Sequence, residues 1–174
     1  MACAVLQWRR MLHSQRSSVT GTVLRDIAVL ALSLAAASCT SSVNHTFKDQ
    51  GEICLFPAGV DPGSVFLPPQ QALSFRADSP VQVRVQAPTC LSGSCSHNLM
   101  ATCTAALKGN VIEVTSAASY VEEGNTCTLD CKALVASCTT PPLPAGTYQV
   151  RHGADTITVT VPAMVVPPCA GRAF

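Results

Sequence analysis

Eight cysteines lie between positions 54 and 169 of this 174-residue chain, after two earlier ones at Cys3 and Cys39. A domain so rich in sulfur is either a thiolate metal site, a redox device or a cross-linked fold in an oxidising space. Cys-x-x-Cys is absent, which removes the usual redox motif. Cys90-x4-Cys95 and Cys127-x3-Cys131 approach zinc-ligand spacing only loosely, so disulfides are the stronger reading and no metal set is assigned. All eight, Cys54, Cys90, Cys95, Cys103, Cys127, Cys131, Cys138 and Cys169, are expected to pair. Spacing alone does not select a connectivity. The groups Cys90, Cys95, Cys103 and Cys127, Cys131, Cys138 flank an apolar stretch from Val111 to Tyr120, which suggests cross-links between the two groups. Cys54 and Cys169 sit near the ends and are placed to close the domain.

The segments between the cysteines alternate with period two. Val81, Val83, Val85 and Ala87 share one side of a strand bounded by Pro80 and Pro88. Leu99 to Leu107 alternates likewise, and Lys108-Gly109-Asn110 turns it into Val111 to Tyr120, with Ile112, Val114 and Tyr120 on one face. Tyr148 and Val150, a turn at His152-Gly153-Ala154-Asp155, then Ile157, Val159 and Val161 make a second hairpin, with Thr156, Thr158 and Thr160 outward. Glu52 to Phe56 and Gln71 to Ala77 are weaker strands. Leu129 to Cys138 carries a stripe at i, i+3, i+4 and i+7 that suits a short helix or a bent strand.

One-faced strands must bury that face against another layer, so the expected fold is all-β: a disulfide-stabilised β-sandwich spanning residues 51–174. Leu143-Pro144-Ala145-Gly146-Thr147-Tyr148 resembles the tyrosine corner of immunoglobulin-like sandwiches, in which the phenol bonds back to upstream backbone. Only seven aromatics follow Cys39, which leaves a modest core and gives the cross-links a large share of stability.

The N-terminus reads as an export signal over residues 1–38. Arg9, Arg10, Arg16 and Arg25 meet no acid before Asp26, and an apolar run follows from Ile27 to Ala37, broken only by Ser33. As a helix that run would rise about 16 Å, half the hydrocarbon thickness of a bilayer. Translation starts at Met1 or, with a shorter basic region, at Met11. Cleavage after Ala35-Ala36-Ala37 fits ordinary secretion, whereas Ala36-Ala37-Ser38-Cys39 resembles the lipobox of bacterial lipoproteins, with Ala36 where that family prefers Leu. Ordinary cleavage leaves nine cysteines, an odd number, while lipidation of Cys39 leaves eight that can all pair. The lipoprotein resemblance implies acyl chains on Cys39 that tether the domain to a membrane. With Thr40 next, it further implies an outer-membrane lipoprotein facing periplasm or surface. The polar stretch behind it, 39–50, reads as lipidated Cys and spacer.

Cys127-x-x-x-Cys131, Cys138-Thr139-Thr140-Pro141, the Leu143 to Tyr148 element and Val161-Pro162 together resemble small Cys-rich predicted lipoproteins of myxobacteria, over about Cys90 to Pro168. That resemblance implies an envelope location and this fold, and carries no named activity.

Charge and motif content narrow the function classes. Residues 39–174 hold seven Lys or Arg against nine Asp or Glu, so no polycation faces nucleic acid. Gly-x-Ser-x-Gly is missing, Leu91 to Cys95 reads as a loop between half-cystines, and Glu122-Glu123 followed by Gly124-Asn125 reads as an exposed turn. A metal set from His45, His97, His152 and Asp155 is the weaker reading, since isolated histidines in turns are usually solvated. No catalytic residue and no cofactor is assigned. The expectation is a non-enzymatic binding or structural module with an envelope protein or glycan as partner; the alternative is a secreted or periplasmic enzyme whose site assembles only in space.

Overall fold

A computed structural model describes residues 41–60 and 71–172. The export segment and Cys39 lie outside these described residues.

Eleven strands and no helix form among them: β1 (Ser42–Lys48), β2 (Glu52–Pro57), β3 (Leu73–Phe75), β4 (Val81–Gln86), β5 (Ser96–Lys108), β6 (Val111–Glu123), β7 (Val135–Thr139), β8 (Gly146–His152), β9 (Asp155–Val161), β10 (Ala163–Val165) and β11 (Cys169–Ala170). They assemble into a five-stranded sheet of β1, β5, β6, β8 and β9, a four-stranded sheet in the order β11-β2-β4-β7, and a β3–β10 pair. The inward members of both larger sheets meet in one core. Ile53, Leu55, Val83 and Val85 from the four-stranded sheet are buried with Ile112, Val114, Val150 and Val159 from the other. The fold is therefore all-β and sandwich-like, as period-two patterning requires.

Strand β6 organises the larger sheet. One of its edges carries β5 from Lys108↔Val111 to Ser96↔Glu122. The opposite edge is divided: Val111–Val114 pairs in parallel with Gln149–His152 of β8, and Ala117–Glu123 pairs antiparallel with β1. Two hairpins follow the turn chemistry of the chain. Lys108 pairs with Val111 across Gly109, whose φ of 62° suits glycine in a two-residue loop, and His152 pairs with Asp155 across Gly153-Ala154.

Two local expectations need correction, and one open choice is decided for strand. Within the stretch read as a spacer, Ser42–Lys48 is strand β1. His45 and Phe47 alternate inward, and Phe47 packs on a second cluster of Ala87, Leu91, Tyr120 and Leu134. Glu122 and Glu123 are not in a turn: pairing of Ser42 with Glu123 carries β6 three residues past Tyr120. In the Leu129 to Cys138 segment, Val135–Thr139 is strand β7, drawn into the sheet beside β4 from Gln82↔Thr139 to Gln86↔Val135.

Disulfides join Cys54 to Cys169, Cys90 to Cys131, Cys95 to Cys127 and Cys103 to Cys138. The last three link the two cysteine groups on either side of β6. Cys103 of β5 reaches Cys138 of β7, so this bond staples one sheet to the other. Four such bonds belong to an oxidising, extracytoplasmic space.

Tyr148 donates its phenol hydrogen to the Pro144 carbonyl at 2.8 Å, the bond its sequence element anticipates. Tyr148→Phe removes the bond and keeps the ring, so we expect a loss of about 1 kcal/mol in chemical denaturation, with an unchanged circular dichroism spectrum.

Candidate functional site

The outward faces of β1, β6 and β5 form an open trough of about 610 Å³. Strand register explains its shape. Small side chains sit on the central strand and longer ones on the flanks, in the rows Thr46–Ser119–Met100 and Lys48–Ala117–Thr102. Thr115 and Thr104 extend the floor, with their hydroxyl oxygens 2.7 Å apart. The surface offers hydroxyls, the Lys48 ammonium and the Met100 thioether, a set that binds through hydrogen bonds and apolar contact.

Directly beneath it, on the inward side, three segments are tied together where the divided edge of β6 changes partners. Asp49 donates its backbone N–H to the Ser116 carbonyl at 3.0 Å, and Ser116 returns its own N–H to Asp49 Oδ1 at 2.8 Å. Ser116 Oγ lies 2.8 Å from His152 Nε2. His152 is 1% exposed, and its Nδ1 is buried without a hydrogen-bond partner among the described residues. Gly153 follows in a left-handed conformation with φ of 56°, and a Cβ there would stand 2.3 Å from the Asp49 carbonyl oxygen. Only glycine allows these backbones to approach so closely.

Burial pushes the His152 pKa below the ordinary histidine value, and the nearby carboxylates of Asp49 and Asp155 oppose that shift. The imidazole is thus held neutral. A serine beside a neutral histidine has the first contact of a nucleophilic pair, but among the described residues no carboxylate bonds the second ring nitrogen to orient such a base. The contact joins strands.

The sequence-marked histidines do not converge. His45 stacks on Tyr120 with ring centroids 4.5 Å apart and bonds Glu122 at 3.0 Å. His97 lies opposite Val121 on the far edge of β6, and successive residues of a strand face opposite sides. Asp155 stands across the hairpin from His152. Neither His97 nor His152 lines the trough. Glu122 and Glu123 are consecutive on a strand, so they diverge and cannot serve as facing carboxylates. Glu52 stands near Cys54 and Cys169, but those sulfurs are consumed by their disulfide and leave a single carboxylate.

The loop Leu91 to Cys95 lies between half-cystines as expected, and it is bound to the segment carrying Asp130. Gly93 donates its N–H to both Asp130 carboxylate oxygens at 3.0 and 3.1 Å. The Thr128 hydroxyl also donates to Asp130 Oδ1, and together with the Gly93 N–H it lowers the Asp130 pKa.

No protein-family model matches the chain, and no curated protein or solved structure matches it.

Two measurements check the inner knot. Ser116→Ala leaves His152 without its partner, and we expect a destabilisation of about 1–3 kcal/mol. Below pH of about 6.5 an unfolded histidine takes a proton that buried His152 refuses, so the unfolded state binds more protons and stability falls with acidification. Above that pH this group has no effect. His152→Gln should show a shallower loss of stability between neutral and mildly acidic pH than the wild type, read from denaturation midpoints.

Proposed function

We propose that this protein is a lipid-anchored module of a bacterial cell envelope that binds a glycan strand and catalyses no reaction. The trough on β1, β6 and β5 carries this reading. Its threonine and serine hydroxyls match the donor and acceptor pattern of sugar hydroxyls, and Met100, 64% exposed, offers an apolar surface to the C–H face of a pyranose ring. The backbone beneath is fixed by strand pairing on both edges of β6, so little ordering is required on binding.

Anchoring through Cys39 is supported by cysteine parity: eight cysteines are paired in four disulfides, and Cys39 has no partner left among them. The immunoglobulin-like reading of the sandwich is supported by the Tyr148 to Pro144 bond. The outer membrane is the proposed location, with the domain facing periplasm or surface.

Two experiments test these statements separately. Radiolabelled fatty acid should be incorporated into the wild type and not into Cys39→Ala; equal labelling would overturn the anchor. Titration of the purified protein with peptidoglycan fragments and with lipopolysaccharide core oligosaccharide should show binding to one of them. Ala117→Trp, which fills the trough floor, should abolish that binding without lowering the melting temperature by more than a few degrees, the effect of a surface substitution. Absence of glycan binding by the wild type would overturn the glycan assignment.

A further inference from the structure

We infer that the glycan held in the trough is anionic, and that its charged group seats over Thr115, between Lys48 of β1 and Arg151 of β8. This rests on the glycan reading above and names the charge that such a glycan carries.

The seat is a product of the divided edge of β6. Lys48 stands opposite Ala117 and Arg151 opposite Glu113, so Thr115 lies midway between the two positions. Residues 113, 115 and 117 share the outward face of the sheet, and Lys48 and Arg151 are exposed on that same face. Each cation starts about 7 Å from Thr115 along the strand direction. The long stems of lysine and arginine cover that distance from opposite sides. The floor between them is polar, with the hydroxyl oxygens of Thr115 and Thr104 2.7 Å apart, and Gln50 joins the lining.

Neither cation is matched by a carboxylate. Among the described residues Lys108 pairs with Glu113 and Lys132 with Asp130, whereas Lys48 and Arg151 make no ion pair. Arg151 donates one N–H to Gln149 Oε1 at 3.2 Å and has further donors to spare. Asp49 and Asp155, the acids nearest in sequence, are turned to the inward side. Asp49 accepts the Ser116 N–H there, and both carboxylates act on buried His152. With the Lys108–Glu113 pair at its border, the seat gathers three cations against one carboxylate on the outward face. That is a local excess of positive charge in a domain whose seven Lys and Arg meet nine Asp and Glu. The remaining cations, Arg76, Arg84 and Arg172, lie outside this sheet.

The fields of Lys48 and Arg151 add at Thr115, and the far end of the same face carries Glu123. A neutral glycan gains nothing from this pair. An anionic one gains charge-assisted hydrogen bonds at the seat while its rings keep the Met100 contact. The charge distribution therefore also gives the bound strand a direction, with its anionic group toward β8.

Calorimetric titration of the purified mature protein tests the seat. Peptide-free peptidoglycan strands carry lactyl carboxylates, which carbodiimide coupling to methylamine neutralises without altering the sugar rings. Lipopolysaccharide core oligosaccharide, before and after removal of its phosphates, tests phosphate as the source of the charge. The wild type should bind the anionic form of one of these about fivefold or more tighter than its neutralised form, and added salt should shrink that ratio. The ratio should fall toward one in Lys48→Gln and in Arg151→Gln. It should be kept in Lys48→Arg, and in Arg76→Gln, which removes an equal charge outside the sheet. Equal binding of charged and neutralised glycans by the wild type would overturn the inference and leave the glycan reading standing, whereas no binding of any form would overturn both. A ratio that survives both Lys48→Gln and Arg151→Gln, or that falls as far in Arg76→Gln, would overturn the assignment of these two cations.

Discussion

One strand edge shared by two partners governs this molecule. β6 offers Val111–Val114 to β8 and Ala117–Glu123 to β1, and these neighbours run in opposite directions along it. Where they meet, the ladder would leave Ser116 backbone groups unpaired, at a cost comparable to lost hydrogen bonds. Asp49 closes the gap with its own N–H and its carboxylate, and Ser116 passes the connection to His152. The close approach of Gly153 to Asp49 lets the β8–β9 turn sit against the end of β1. The trough above is a product of this arrangement, since it needs β1 beside β6.

Covalent links and packing divide the work. The main core gathers branched aliphatic side chains from both sheets with Phe75 and Tyr148 as its aromatic members. The end near Cys95 and Cys127 holds few apolar side chains: Leu129 is fully exposed, and order there comes from Gly93, Thr128 and Asp130 with two disulfides. Small domains that lack core volume use cross-links in this way.

Much of the architecture could be read from the residues because alternation and turn chemistry are local signals. Val81 to Gln86, the Gly109 turn and the Gly153 turn lie where their patterns place them. Strand β1 was hidden: Ser42, Val43 and Asn44 are polar or exposed, and only His45 and Phe47 alternate inward, so its pairing is set by β6 and not by its own composition. β7 was ambiguous because Cys131, Leu134, Val135 and Cys138 have helical spacing, and only the vacant edge of β4 decides for strand. The trough could not be read in advance, as its small floor residues gain meaning only from neighbours on other strands. His152 was visible as a turn residue, but its burial depends on Asp49, 103 positions upstream in the chain. The outward alternation of Thr115, Ala117 and Ser119 is the one signal that could have marked the floor.

The bond between Cys54 and Cys169 brackets nearly every loop of the domain. A peptidase that cuts the backbone once anywhere between those positions releases nothing, because the two halves remain one molecule through sulfur. Release of any fragment of such a protein therefore takes reduction, a second cut inside that ring or a cut outside it.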